Sequence, residues 1–290
     1  MTPRVSVIVP CFNDGVLAVK AADSVAESEP VELVVVDDGS TEAPTREALA
    51  GLADRGVRVI RQENGGLSAA RMTGVGATSA PYIYPLDSDD QLVPGSLATM
   101  ANALDGRTDA GFAFGDIEVF GDFRGIYPSP QEFSLWAQTW ANFIPVGSLV
   151  RRQALEEVRG WESLGIDVPS GYEDWDLWLK LGEARWHGVR VDQVVYRRRR
   201  VKGERMLGRA RPRHRDLLRR LHERHPASFE GRRALARAER VPLRRRLIYP
   251  VLFGIRNTNL VPYALEDRII LRYMEWRLRR DETSRAVTAR

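Results

Sequence analysis

Four short apolar runs near the start of this 290-residue chain constrain its fold more than any other feature: Val5–Pro10, Val31–Asp37, Val57–Gln62 and Tyr82–Leu86. Each is rich in β-branched or aromatic residues and is continuous rather than alternating. That is the pattern of strands covered on both faces. Between them lie the helix candidates Val16–Ser28, Ala43–Arg55 and Ser68–Thr78. Strand–helix alternation of this kind predicts an α/β fold, a mostly parallel sheet with helices on both faces. Ligands of such sheets bind in the crevice beyond the carboxyl ends of the strands. The polar clusters fall there: Asn13 and Asp14 after the first run, Asp37 and Asp38 at the end of the second, and Asp87, Asp89 and Asp90 after the fourth.

The middle of the chain is mixed. Ala110–Phe120, Val146–Arg151 and Val191–Arg198 read as strands, and Tyr172–Gly182 reads as a helix. Past about residue 205 strand signals stop. His214–Arg224 and Arg232–Arg240 read as basic helices. Val261–Arg280 reads as an amphipathic one, with Leu265, Ile269, Tyr273, Trp276 and Arg280 spaced by three or four. The expected organisation is a catalytic domain over residues 1–204 and a basic α-helical C-terminal extension over 205–290, ending in a frayed tail at Asp281–Arg290.

Charge is segregated along the chain. Residues 1–195 carry 15 Lys and Arg against 29 Asp and Glu, a net of −14, whereas residues 196–246 carry 20 against 5, a net of +15. A basic block of this size predicts an anionic partner surface, such as a membrane face. Its alternative use is to fold back on the acidic half and neutralise it. The block lacks interleaved aromatics, which argues against nucleic acid.

The single cysteine, Cys11, excludes an intrachain disulfide and fits a reducing compartment. The four histidines show no zinc spacing. Met1–Pro10 does not read as a secretory signal. The apolar run Leu247–Ile255 is about half the ~20 residues a membrane span needs. A cytoplasmic protein, peripheral on the inner face of the cell membrane, is expected.

Four segments carry chemistry, and each has a plainer structural use. Leu86–Asp90 (LDSDD) groups three carboxylates at a strand end, which a hard divalent cation such as Mg²⁺ or Mn²⁺ would relieve. It also reads as an acidic turn leading into a helix near Pro94. Val34–Glu42 (VVVDDGSTE) reads as a strand-to-helix turn, or as a place where Asp37 meets a nucleotide. Glu63–Arg71 (ENGGLSAAR) is a glycine loop running into a helix, whose backbone amides and Arg71 suit a phosphate or nucleotide. Gly171–Leu181 (GYEDWDLWLKL) is an amphipathic helix. Its first acids, Glu173 and Asp174, either complement the helix dipole or supply a general base.

Taken in order, VSVIVPCFN, VVVDDGSTE, NGGLSAARMTG, YPLDSDD and GYEDWDLWLKL resemble the family 2 glycosyltransferases, over about residues 4–200. The resemblance implies the Rossmann-like GT-A fold and an inverting transfer from a nucleotide-diphosphate sugar donor to a hydroxyl of a carbohydrate or lipid-linked acceptor, in cell-surface polysaccharide or glycolipid assembly. It implies that Pro10, Asn13, Asp37 and Arg71 surround the nucleotide. Asp87 would hold ribose or metal, and Asp89 would ligate Mn²⁺ or Mg²⁺. Asp174 would be the catalytic base, with Glu173 beside it. Two positions depart from the family pattern. Met72 stands where an asparagine is common. Arg199 stands where a histidine is common, and there it would serve the diphosphate.

Two rival functions differ in their sequence demands. A nucleotidyltransferase would place a glycine-rich basic loop after the first strand, whereas this chain reads PCFNDG with no Lys or Arg before Lys20. A non-catalytic anionic-surface-binding protein would have lost some of the acids, and all are present.

Overall fold

The computed structural model describes residues 2–165, 171–201 and 213–254. The expected boundary at 204/205, the helix expected at Val261–Arg280 and the tail at Asp281–Arg290 lie outside the described residues.

The four apolar runs form β1 (Val5–Cys11), β2 (Val31–Asp38), β3 (Arg58–Gln62) and β4 (Tyr82–Pro85). All four are parallel, with β2 and β4 flanking β1 and β3 outside β2. The intervening helices are α1 (Gly15–Asp23), α2 (Ala43–Asp54) and α3 (Leu67–Gly76). Strand periodicity divides the core into two layers. Val5, Val7, Val9 and Cys11 face one apolar layer with Ala18, Leu49 and Leu52, while Ile8, Val34 and Val36 face the other with Ala70 and Val75. Val7, Ile8 and Val9 are fully buried, each contributing about 1.5–3 kcal/mol of transfer energy. Helix α3 lies so close to β1 that a Cβ on Gly74 would collide with Ile8.

The second half completes a mixed sheet. β5 (Gln91–Leu92), α4 (Ser96–Asp105), β6 (Ala110–Gly121), β7 (Gly125–Tyr127), α5 (Leu135–Gln138), β8 (Leu149–Arg151), α6 (Arg152–Glu157), α7 (Glu173–Glu183) and β9 (His187–Arg200) follow in order. The sheet runs β3-β2-β1-β4-β8-β6-β9-β5, with β7 beside β6. β8 is antiparallel to both β4 and β6, so it joins the parallel half to the mixed half. β9 runs parallel to β6 through several register shifts. These bulges bend a long strand so that its arginine end reaches the acidic segment.

Two expected elements are shorter than their apolar content suggested. The first helix stops at Asp23 because Ser24 Oγ donates to Ala21 O at 2.6 Å and accepts from Leu92 N at 2.9 Å, tying the chain to β5. The strand expected from Val146 begins at Leu149. Ser148 N donates to Val146 O at 2.7 Å and its hydroxyl to Pro145 O at 2.7 Å, which closes a tight bend instead.

The basic segment ends β9 with Arg197–Arg200 and, over residues 213–254, forms α8 (His214–Arg224), α9 (Pro226–Glu230), α10 (Arg232–Ala238) and α11 (Leu243–Gly254). Much of it folds back on the acidic half. Leu217, Leu218 and Leu221 pack with Phe229 against Trp175 and Leu179 of α7. Arg220 donates to Leu164 O at 2.8 Å, and Arg224 pairs with buried Asp176 at 3.2 Å. His225 bridges Asp176 Oδ1 at 3.0 Å and Glu183 Oε2 at 2.8 Å. Burial opposes charge on that imidazole, yet the two carboxylates raise its pKa overall. Arg220 and Arg224 therefore serve the fold, whereas Arg213, Arg219 and Arg240 are exposed.

Candidate functional site

Three strand ends and one helix start meet at the candidate cleft. The loops after β1 and β2 are joined by Asn13, whose backbone is left-handed at φ 58°. Its Oδ1 accepts from Thr41 N at 2.9 Å and Glu42 N at 3.1 Å, and its amide donates to Thr41 Oγ1 at 3.2 Å. Asn13 thus caps the entry to α2 and uses its side chain within the protein. Pro10 is buried in β1 opposite Val36.

The acids closing β2 divide their labour. Asp37 accepts from Ser40 N at 2.8 Å and pairs with Arg61, so both its oxygens already have partners. Asp38 accepts from Gly65 N at 2.8 Å, Gly66 N at 2.8 Å and Gln62 Nε2 at 2.7 Å. The expectation that the glycine loop offers its amides to a phosphate therefore needs correction at Gly65 and Gly66, because Asp38 occupies them. Asp38 was not among the expected site residues. Its signal was the doubled acid beside a glycine loop.

Arg71 is fully buried between these elements. Its Nη2 donates to Asp87 Oδ1 at 2.7 Å and its Nη1 to Glu173 Oε1 at 2.9 Å, and its guanidinium lies 5.7 Å from the Trp161 ring. Burial opposes its charge, but Asp87 and Glu173 hold the group firmly cationic. Arg71, expected beside the nucleotide, joins the segment after β4 to the start of α7. The departure at Met72 is filled by packing: its thioether lies against the Cα of Gly160, where a side chain would collide.

The segment after β4 separates its acids. Asp87 and Asp89 are half-buried, whereas Asp90 is buried and accepts from Arg199 N at 2.8 Å. Burial, with Asp89 and Asp87 nearby, pushes the pKa of Asp90 well up. Arg199 is therefore joined to the acidic segment through its backbone. Among the described residues no group of three His, Cys, Asp or Glu side chains is close enough to hold a metal by itself. The available donors are hard carboxylate oxygens, the chemistry that Mg²⁺ and Mn²⁺ prefer, and Mg²⁺ typically takes one or two of them and completes its shell with substrate phosphates.

Helix α7 opens on Tyr172, left-handed at φ 67°. Its hydroxyl meets His214 Nδ1 at 2.6 Å, so α8 braces the entry to α7. Glu173 is buried and has both oxygens engaged, one by Arg71 and the other by Gly171 N at 3.0 Å. Asp174 is half-buried; its Oδ1 accepts from Trp175 N at 2.8 Å and its Oδ2 from Asn142 Nδ2 at 2.8 Å. Burial, then the charge of Glu173, pushes its pKa up to about 6 against the opposing pull of Arg71. A carboxylate of that pKa is ionised at neutral pH and is a competent proton acceptor. Asn142 belongs to no segment singled out in the sequence. It lies 32 residues before its partner, in a loop with no local signature.

Residues 6–159 match the model of the family described as Glycosyl transferase family 2. Glycosyltransferase GlyA of Streptococcus pneumoniae serotype 4 is 34% identical over 128 residues, 43% of this chain and 18% of that protein. GlyG of the same organism is 29% identical over 140 residues, 46% of each. Succinoglycan biosynthesis protein ExoO of Rhizobium meliloti is 38% identical over 106 residues, 36% of this chain and 30% of ExoO. The matched stretch thus spans less than half of each of these relatives. Among solved structures, S. aureus TarS 1–349 in complex with UDP-GlcNAc has a TM-score of 0.61 at 19% identity, over 84% of this chain and 77% of that one. Mannosyltransferase PcManGT from Pyrobaculum calidifontis, in complex with GDP-Man and Mn²⁺, has a TM-score of 0.53 at 18% identity, over 89% and 84%. At these identities the likeness is one of fold.

Proposed function

This chain belongs to glycosyl transferase family 2, and from that premise we propose that it is an inverting glycosyltransferase that moves a sugar from a nucleotide-diphosphate donor to an acceptor hydroxyl. One observation carries the reading. A single buried guanidinium, Arg71, joins the acid that ends β4 to the acid beside Asp174, so the donor end and the base share one wall. The named relatives, two glycosyltransferases and a succinoglycan biosynthesis protein, support a place in cell-envelope polysaccharide or glycolipid assembly.

In this mechanism Asp174 takes the proton of the acceptor hydroxyl as the oxygen attacks the anomeric carbon. The bond to the diphosphate breaks on the opposite face, and one displacement inverts the configuration. Asp89, with Asp87 beside it, would hold Mn²⁺ or Mg²⁺, which when bound neutralises charge on the leaving diphosphate. Arg199 and its neighbours on β9 add positive charge near that group. Pro10, Asn13 and Asp37 form the wall on the nucleotide side. The acceptor is a carbohydrate or a lipid-linked one, reached from an anionic membrane surface that the exposed arginines favour.

A donor panel tests the reaction. UDP-, GDP- and dTDP-sugars with Mn²⁺ should show released nucleoside diphosphate for at least one donor. Pyrophosphate release from a nucleoside triphosphate and a sugar phosphate, with no turnover of any donor, would replace this reading with nucleotidyl transfer. Activity should vanish in excess chelator and return with Mn²⁺ or Mg²⁺. Asp89→Ala should lose donor binding together with turnover; full activity in chelator would sink the metal's role.

Asn142 allows a pH test. Its donated hydrogen bond favours the ionised form of Asp174. Asn142→Ala removes that support, so the pKa of Asp174 rises above about 6. The acid limb of kcat/KM should then move to higher pH by about one to two units, since a hydrogen bond to a charged group is worth about 1.5–3 kcal/mol. An unmoved limb in an active variant would show that Asn142 does not tune the base.

A further inference from the structure

Helix α11 is turned inside out on one side. Its Tyr249 and Phe253 are buried, with Tyr249 5.0 Å from the Trp136 ring and Phe253 5.2 Å from Phe143. Away from them, Leu243, Leu247 and Val251 are 66%, 64% and 60% exposed. Their spacing of four puts them on one stripe. Exposed Pro250 continues it. A helix at a water-facing surface normally shows polar residues there. Among the described residues only Phe12, Val16, Phe123 and Ile126 are other large apolar side chains of comparable exposure, and none belongs to this helix.

The surroundings of the stripe select its occupant. Arg240, Arg244 and Arg246 lie beside it and are exposed, Arg245 pairs with Glu132 at 3.8 Å, and residues 240–254 contain no Asp or Glu. A second copy seated on this face would set arginines against arginines, as two-fold pairing of one patch requires. The chain beyond the helix is no better matched in charge, since residues 255–290 carry 8 Arg against 5 Asp and Glu. An anionic bilayer surface complements both features at once: acidic headgroups for the arginines, and the acyl boundary for the aliphatic stripe.

We propose that α11 is the membrane-contacting element of this protein, lying in the plane of an anionic bilayer with Leu243, Leu247 and Val251 inserted. This rests on the membrane-surface reading given above and names the residues that make the contact. It also places the bilayer next to the acceptor side of the cleft. Phe143, 5.8 Å from the Tyr249 ring, immediately follows Asn142, which holds Asp174. A lipid-borne hydroxyl would then approach along the same loop that positions the base.

Co-sedimentation of the full chain with phosphatidylcholine vesicles, with and without phosphatidylglycerol, tests this. Wild type should bind the anionic vesicles and ignore the neutral ones, with binding weakened by salt. Leu243→Ser, Leu247→Ser and Val251→Ser combined should weaken binding by about a hundredfold, the loss expected from three aliphatic side chains at an interface. Melting temperature and donor hydrolysis should be unchanged, because these side chains touch neither core nor cleft. A triple variant that binds as wild type overturns the role of α11 while leaving arginine-mediated membrane contact standing. Wild type that ignores anionic vesicles at low ionic strength overturns both. A wild-type dimer by light scattering that becomes monomeric in the variant, with no vesicle binding, assigns the stripe to a second copy instead.

Discussion

Asp174→Asn is expected to lower kcat by about two to four orders of magnitude while donor affinity stays near wild type. The amide keeps the shape of the carboxylate and can still meet Trp175 N and Asn142, but it cannot accept a proton. The competing role for Asp174 is a favourable charge at a helix start, worth about 0.3–1 kcal/mol. That contribution belongs to stability. The expected rate loss corresponds to about 2.7–5.5 kcal/mol of transition-state energy, so the two roles separate cleanly in magnitude and in observable. The pH profile adds a sign. Burial and Glu173 place the Asp174 pKa at about 6. Wild-type kcat/KM should therefore fall tenfold per unit as the pH drops below that value, because the base becomes protonated. The residual activity of Asp174→Asn should lack this limb. Unchanged kcat in the variant would reduce Asp174 to a helix-start acid.

The parallel half of the fold was legible because its information is local. A continuous apolar run such as Val31–Asp37 has few homes other than a covered strand, and the acids at its end mark the ligand side of the sheet. The basic helix His214–Arg224 was equally plain, and it forms with those bounds. The rest depended on long-range partners. Nothing near Arg71 in the chain announces Glu173, which is 102 residues away. The motif supported a role for Arg71 beside the nucleotide; its burial between Asp87 and Glu173 was not legible. Asn13 and Asp38 were similarly spent on loops brought together only by the β1–β2 and β2–β3 pairings respectively. Asn142 and Tyr172 were missed because a hydrogen bond to a base and a left-handed helix entry leave no pattern in a single sequence. The late run Leu247–Ile255 was noted as apolar and too short to span a bilayer. Only the helix geometry shows that Leu247 faces out while Tyr249 faces in.

Arg71→Met is expected to produce the largest loss of stability of any single change in the cleft. Methionine fills much of the volume of the arginine stem, so the cavity effect is small. What it removes is the cation between Asp87 and Glu173. Glu173 is buried beside Asp174, whose pKa its charge already raises. Deleting one partner of a buried charge pair typically costs about 3–5 kcal/mol, because the other is left uncompensated. For a chain of this size that is a fall in melting temperature of about 6–20 °C. Urea unfolding should show the same loss as a lower midpoint with an unchanged slope. Arg71→Lys should rescue only part of it, since a single ammonium nitrogen cannot span both Asp87 and Glu173 as the two separate Nη groups of the guanidinium fork do. Arg71→Met with Glu173→Gln should lose less than the sum of the single changes, because the amide no longer needs a counter-charge. The opposing role for Arg71 is a direct nucleotide contact, and it makes a different forecast. Arg71→Met would then melt with wild type and lose donor affinity alone. Thermal melting with and without donor separates the two outcomes: a brace lowers both curves together, whereas a nucleotide contact removes only the shift that donor induces.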